Sequence, residues 1–213
     1  MKMSSLFILC VMLLSSCMTS KVLFVESTST TLKENMYSFE NDSIRISYNF
    51  WSEEGSMSFI IYNKLNIPIY IDWKKSAFIP NEKMISYWQD ETNTVSSYSG
   101  SNRVAYGVNY TNGRSKSKSI KEERIDMITP HAFITKYSFK IFPKPKLPST
   151  DKIFDIHSTP LNFRNYIAVS TTEQFDKNVF YVDNDFYIHE VMRCPVDKLY
   201  KYKSQHTFYT KPM

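Results

Sequence analysis

Hydrophobic and polar residues alternate along the first third of the chain. Ile44, Ile46, Tyr48 and Phe50 are separated by single polar residues, and this period of two predicts a half-buried β-strand. Apolar segments of strand length follow at 57–62, 69–73, 78–79 and 85–88, with short polar turns between the first three. Tight connections predict that the three strands at 44–50, 57–62 and 69–73 form an antiparallel meander. The predicted core comprises Ile44, Ile46, Phe59, Ile61, Ile69 and Ile71.

The second half of the chain shows the same kind of pattern. Strand segments are predicted at 124–128, 134–142, 153–157, 166–171 and 179–191, the last folded into a hairpin at Asp183 and Asn184 because these residues favour turns. A single short helix is predicted to start near Thr171. Evenly spaced short strands with turns between them indicate an all-β fold, an antiparallel β-sandwich.

Two segments depart from the period of two. Residues 91–119 are rich in Ser, Asn, Tyr and Gly, which predicts a long polar loop of functional importance or without order. Residues 192–213 form a basic and aromatic tail, with Tyr200 and Tyr202 between lysines. Such a tail suits anionic lipid or glycan. The favoured alternative is an edge strand with both tyrosines inward and the lysines outward.

The N-terminus has the features of a secretory signal. Lys2 precedes the apolar run Leu6–Leu14, which at about nine residues is short of the roughly 20 that a spanning helix needs. The run closes with Leu14-Ser15-Ser16-Cys17, which resembles a bacterial lipobox. The resemblance implies cleavage after residue 16 and acylation of Cys17. We therefore predict a signal peptide (1–16), a lipidated tether (17–35), a β domain (36–191) and the tail (192–213). The apolar run 22–25 is an exception within the tether, and an added strand there is the alternative.

Composition and charge narrow the classes of function. The formal net charge of +5 is spread along the chain, which argues against a nucleic-acid partner. Four glycines and no glycine-rich phosphate motif argue against a nucleotide site, and no cofactor is predicted. After loss of Cys10 and acylation of Cys17, Cys194 has no partner for a disulfide and is predicted to be buried.

Few residues are candidates for chemistry. Asp155 and His157 are two apart on a predicted strand and so share a face, but a metal site needs three or four ligands and none is predicted. Asp183 and Asp185 belong to the densest acidic cluster, for which a turn is favoured over a calcium loop. Paired carboxylates of a glycosidase remain an open alternative.

Three phrases of the sequence resemble a family of uncharacterised lipoproteins from the Bacteroidota. They are FENDSIRISYNFW (39–51), IYNK (61–64) and PIYIDWKKS (68–76). The sequence Asn-Lys (63–64) followed by Pro-Ile-Tyr-Ile (68–71) also resembles small immunoglobulin-like envelope domains. The family has no established activity, so the resemblance implies only an envelope location and a compact β domain.

The sequence thus leads to two hypotheses of function. The first is a membrane-anchored envelope lipoprotein that acts as a binding or structural module, with a protein or a glycan of the envelope as its partner. The second is an envelope hydrolase that uses carboxylates. Residues 18–21, Met-Thr-Ser-Lys, contain no acid after Cys17. Lipoproteins exported to the surface in this phylum resemble one another in carrying acidic residues at these positions. We therefore expect this protein on the periplasmic face of the outer membrane.

Overall fold

A computed structural model of the chain describes residues 18–88, 93–105, 108–120, 123–141 and 147–212. The signal peptide and Cys17 lie outside these residues. The elements are β1 (Thr19–Glu26), β2 (Thr31–Lys33), β3 (Met36–Glu40), β4 (Ile44–Asn49), β5 (Ser56–Asn63), β6 (Ile69–Asp72), β7 (Ala77–Pro80), β8 (Ile85–Ser86), β9 (Asn93–Ala105), β10 (Val108–Ile120), β11 (Ile125–Ile128), β12 (Phe133–Lys140), β13 (Lys152–Ile153), β14 (Asn162–Ser170), β15 (Phe180–Pro195), a 3₁₀ helix (Val196–Tyr202) and β16 (Thr207–Tyr209).

Two antiparallel sheets pack face to face, which confirms the predicted all-β sandwich. The larger sheet has the strand order β11-β6-β14-β15-β1-β16, with β7, β8 and β13 paired along its margins. The smaller sheet has the order β12-β5-β4-β3-β2. All six residues of the predicted core are buried, at 1 % exposure or less. Full burial of each such side chain stabilises the fold by about 1.5–3 kcal/mol.

Aromatic side chains fill the space between the sheets. The ring of Phe186, from β15, lies 4.7 Å from Tyr48 and 5.2 Å from Phe50 of the smaller sheet, measured between centroids. It also stacks on Phe163 of its own sheet at 5.4 Å. Pairs in these geometries add about 0.5–1.5 kcal/mol each beyond their area burial. Because Phe186 contacts both sheets, it fixes how β15 sits on the smaller sheet.

The predicted three-strand meander is wrong, because β6 leaves the sheet that holds β4 and β5. Asn63, fully buried at the end of β5, donates through Nδ2 to the carbonyl oxygens of Ile67, Ile128 and Thr129. These bonds hold the connection from β5 close to the end of β11. The chain therefore crosses to the larger sheet, where β6 pairs with β11 and β14.

The predicted hairpin at Asp183 and Asn184 is also wrong. β15 is a continuous strand of 16 residues, paired with β14 over its first half and with β1 over its second. Asn184 points into the core, so its polar side chain serves the sheet packing rather than a turn. Residues 171–175, where a helix start was predicted, form bends and turns.

The segment 17–35, predicted to be a tether, contributes two strands. β1 is an interior strand of the larger sheet between β15 and β16, and Val22, Leu23 and Val25 are buried. β2 forms an edge of the smaller sheet. The apolar run 22–25 is thus the start of the fold, and polar residues 27–30 form only the link between the two sheets.

Residues 93–105 and 108–120 differ from the predicted long polar loop, because they form a two-stranded antiparallel ribbon. β9 and β10 pair over 13 residue positions, from Asn93 with Ile120 to Ala105 with Val108. Within the described part of the chain, neither strand pairs with any other strand.

The C-terminal tail is not the simple edge strand that the sequence favoured. Residues 196–202 form the 3₁₀ helix, in which Tyr200 is 71 % exposed rather than inward. The edge strand is the short β16, which pairs with β1 through residues 207–209. Phe208 of β16 is fully buried and lies against Gly55, which has φ +68°.

Candidate functional site on the exposed face of the larger sheet

Polar side chains follow one another along the face of β15 that points away from the smaller sheet. Asp183, Asp185 and Tyr187 alternate with buried residues of the core. Because successive residues of a strand point to opposite faces, these three share the outer face. We call them, with His189, Glu26, Thr28 and Arg164, the polar stripe.

His189 continues the alternation of the stripe and lies at a β-bulge. β1 pairs Phe24 with Glu190 and Val25 with Ile188, so His189 is an extra residue that faces no residue of β1. Bulges redirect side chains and are common beside functional sites. Nδ1 of His189 lies 3.1 Å from the carbonyl oxygen of Phe154 and 3.4 Å from Oε2 of Glu26. The neutral imidazole with its proton on Nδ1 can therefore donate to Phe154.

Tyr187 and Glu26 form a short hydrogen bond within the stripe. The Tyr187 hydroxyl donates to Oε2 of Glu26 at 2.5 Å. This hydrogen bond, followed by burial and by the Glu26 charge, raises the pKa of Tyr187 to about 12. Tyr187 is therefore a hydrogen-bond donor at neutral pH and no general base.

The two aspartates that sequence analysis singled out on β15 have different partners. Asp183 forms an exposed ion pair with Arg164 of β14, at 2.7 Å between Oδ2 and Nη1. Oδ2 of Asp185 accepts from the Thr28 hydroxyl at 2.5 Å, and the backbone N–H of Asp185 donates to Ser29 Oγ. Oδ1 of Asp185 is buried and has no hydrogen-bond partner among the described residues.

A cleft of about 320 Å³ opens beside this pair of strands. Arg164 and Asp185 contribute its polar wall, together with Glu82 from the turn between β7 and β8. Ile79 and Ile156 contribute apolar surface. Next to it, the rings of Tyr166 and Tyr181 stack at 5.4 Å, and Tyr181 is 51 % exposed. The cleft thus offers hydrogen-bonding groups of both charges, and a flat aromatic surface lies beside it.

Asp155 and His157 do not lie on a strand, because β13 ends at Ile153. Oδ1 of Asp155 accepts from the backbone N–H groups of His157 and Ser158 and from the Ser158 hydroxyl, at 2.8–2.9 Å. The bonds to Ser158, ahead of that to His157, lower the pKa of Asp155. The aspartate closes a turn, so the prediction of a shared strand face for this pair is wrong.

The structure brings Asp183 and Asp185 into one surface and adds residues that the sequence did not indicate. Glu26 and Thr28 fall in the segment predicted to be a tether, and Tyr187 and Arg164 look like ordinary strand residues. The signal that could have found Glu26 is its position after the apolar run 22–25, which identifies a strand end.

Other chemistry of the described residues is limited. No group of three or more His, Cys, Asp or Glu side chains is placed to hold a metal ion in the described ranges. Cys194 is buried as predicted, and burial raises the pKa of its thiol. No helix of the described part of the chain is long and apolar enough to cross a membrane.

Comparisons of the chain with protein families, curated proteins and solved structures find no match. The candidate site therefore has to be argued from its own geometry.

Proposed function

We propose that the protein is a bacterial envelope lipoprotein, held at a membrane by acyl chains on Cys17. The proposal rests on the position at which the signal-like segment meets the first strand of the fold. The lipobox-like Leu14-Ser15-Ser16-Cys17 ends two residues before β1 begins at Thr19. A signal peptide cleaved before Cys17 would leave the fold intact, since every described strand lies after that position. Several acyl chains on one residue give stable attachment.

Replacement of the two cysteines tests acylation. Cys17→Ala should abolish incorporation of a labelled fatty acid and either leave the precursor uncleaved or release the protein from membranes. Cys194→Ala is the matched control, because it removes the buried thiol and should change neither incorporation nor partition. Labelled, membrane-bound Cys17→Ala protein would disprove the proposal.

We further propose that the sandwich is a binding module whose ligand contacts the polar stripe and the adjoining cleft. Exposed tyrosine rings provide flat apolar faces, and Arg164 and Asp183 provide a donor and an acceptor at the surface. This combination suits a hydroxyl-rich ligand, so a glycan of the envelope is the favoured partner over a protein.

The hydrolase alternative has less support. Asp155 is occupied by three hydrogen bonds in its turn, and Asp183 is paired with Arg164. Asp185 and Glu82 line the same cleft, but Oδ2 of Asp185 already accepts a hydrogen bond from Thr28. A binding role needs no free pair of this kind.

Sedimentation with isolated envelope polysaccharide tests the binding proposal. Tyr181→Ala should lower the bound fraction, because it removes the exposed ring of the stacked pair. Tyr137→Ala is the matched control, since Tyr137 is 69 % exposed and lies on β12 of the other sheet. Equal binding by both variants and the unchanged protein would contradict a glycan site at this face.

A further inference from the structure

The folded body begins immediately beside the anchor. Met18, the first described residue, is 54 % exposed, and its carbonyl oxygen accepts from the N–H of Val196 at 3.1 Å. Consecutive Cα atoms are about 3.8 Å apart, so Cys17 lies within one residue of this bond. The 3₁₀ helix therefore starts next to the acylated residue, with no tether between them.

The surface of this helix is basic and partly aromatic. Lys198, Tyr200 and Lys201 are exposed, and Lys203 follows directly after the helix. Asp197 is the acidic residue of the helix. None of the seven residues is buried, although Tyr202 rests against Phe24 of β1 at 6.4 Å between ring centroids. The helix is thus fixed to the body and leaves its lysines available.

The distance between these lysines and the membrane determines how strongly they interact with its charged headgroups. At a rise of about 2 Å per residue, Lys198 lies about 4 Å and Lys201 about 10 Å along the helix from Val196, whose N–H is bonded to Met18. The Debye length is about 8 Å at physiological ionic strength, so a bilayer that reaches Val196 attracts Lys198, and it attracts Lys201, slightly beyond that distance, more weakly. Basic residues near such a surface strengthen binding by about fivefold each.

The opposite end of the body carries charges of both signs: Lys75 lies over the Phe175 ring, and Glu173, Asp176 and Lys177 are exposed beside it. β15 runs through 15 residue steps from Phe180 to Pro195, roughly 50 Å of extended strand. Its start carries the acidic Asp183 and Asp185, and its end leads into the basic helix. The acids at the opposite end weaken its attraction to an anionic surface, and the proposed anchor adjoins the helix end.

We propose that the 3₁₀ helix Val196–Tyr202, with Met18, lies against the anionic headgroups of the bilayer that holds the acyl chains of Cys17. The inference rests on the proposed lipid anchor and adds the orientation of the body. Tyr200, with its polar hydroxyl on an apolar ring, then sits at the headgroup level, where such side chains are favoured. The exposed β14–β15 face, with the polar stripe, stays free for a ligand.

Fluorescence quenching by lipid headgroups tests the orientation. The full acylated protein carries an environment-sensitive label at Tyr200→Cys or, as the control, at Lys177→Cys beyond the far end of β15. Cys194 is buried, so labelling is selective for the introduced thiol. The proteins are reconstituted in vesicles of phosphatidylethanolamine and phosphatidylglycerol that contain nitroxide-labelled headgroups. Loss of most of the fluorescence is expected at position 200, with little change at position 177.

Charge reversal separates the contact from the anchor. Lys198→Glu with Lys201→Glu should restore the fluorescence at position 200, lowering the docked-to-undocked ratio at least about fivefold. Lys83→Glu with Lys177→Glu is the matched control at exposed sites of the far half and should leave the quenching unchanged. Vesicles of phosphatidylcholine alone should give weak quenching at position 200.

Flotation of the same samples keeps the two proposals distinct. If the protein floats with the vesicles and positions 200 and 177 are quenched equally, or neither is quenched, the orientation is refuted while the anchor stands. If quenching at position 200 persists after charge reversal, the basic helix is not what holds the body down. If the acylated protein fails to float, both the anchor and the orientation are refuted.

Discussion

The hydroxyl oxygen of Tyr48, in β4 of the smaller sheet, accepts a hydrogen bond of 2.6 Å from Nδ2 of Asn184, in β15 of the facing sheet. It accepts a second one, of 2.9 Å, from Nδ2 of Asn165 on β14. The Tyr87 hydroxyl in turn donates to Oδ1 of Asn165. All four side chains are buried, so a connected polar group joins the two sheets inside an aromatic core.

Removal of the Tyr48 hydroxyl is expected to be costly. Tyr48→Phe leaves two buried amide donors without this acceptor, and an unsatisfied buried group costs about 1–3 kcal/mol. We expect the free energy of unfolding to fall by about 2–4 kcal/mol on the same basis, measured by urea denaturation. Tyr137→Phe, at an exposed tyrosine, should change it little. An unchanged midpoint in Tyr48→Phe would contradict the role of the network.

The strands were more predictable than their arrangement. A period of two is a local property, so Ile44–Asn49 and Ser56–Asn63 could be recognised from the chain alone. The crossing of β6 depends on the Asn63 side chain reaching Ile128, which is 65 residues away. Asp183 does not form a turn, although its residue type favours one, because its side chain points outward to Arg164 while the residues on either side of it pack inside. The polar stripe was missed in part because Glu26 joins Tyr187 only through the pairing of β1 with β15.

The raised pKa of Tyr187 makes the free energy of unfolding decrease at alkaline pH. Its pKa is raised from 10 to about 12 in the folded protein, so between these values the unfolded chain loses the proton first. By linkage, stability falls as pH rises through this window. Tyr187→Phe should make the decline of the unfolding free energy between pH 10 and pH 12 shallower. Some slope should remain, because burial also raises the pKa of Tyr48 and Tyr87. Identical slopes in both proteins would contradict this coupling.

Arg124 neutralises a buried carboxylate. Its Nη2 lies 2.8 Å from Oδ2 of Asp72, whose side chain is 1 % exposed, and its Nε donates to Oδ1 at 3.2 Å. Breaking a fully buried pair costs about 3–5 kcal/mol, and Arg124 is half-exposed, so Arg124→Ala should cost somewhat less.

The pair of Lys64 with Glu40 is the matched control. Glu40 is exposed and Lys64 is partly exposed, and such surface pairs contribute little to stability. Lys64→Ala should therefore shift a urea midpoint far less than Arg124→Ala. Equal shifts would show that the burial of Asp72 does not set the energy of its pair.

Gly55 allows the turn before β5 to pass over Phe208. Its φ of +68° is unfavourable for residues with a side chain, and a Cβ there would lie 2.9 Å from two ring atoms of Phe208. Gly55→Ala should lower the free energy of unfolding by about 2–5 kcal/mol, combining a left-handed backbone cost of about 1–2 kcal/mol with overpacking of about 1–3 kcal/mol. In a Phe208→Leu background the added cost should be smaller, since the ring is gone. An equal cost in both backgrounds would place the whole effect in the backbone.

The ribbon of β9 and β10 is expected to be the first part of the folded body to open. A two-stranded hairpin is marginally stable by itself, and within the described ranges these strands pair only with each other. Limited trypsin digestion should therefore cut first at Arg103, Arg114 or Lys116, and mass spectrometry of the early fragments identifies the site. The body should survive this cut, because β4, β5 and β15 are held by the shared core. First cleavage at Arg45 or Lys64, with the ribbon intact, would show that the ribbon is better protected than the sandwich.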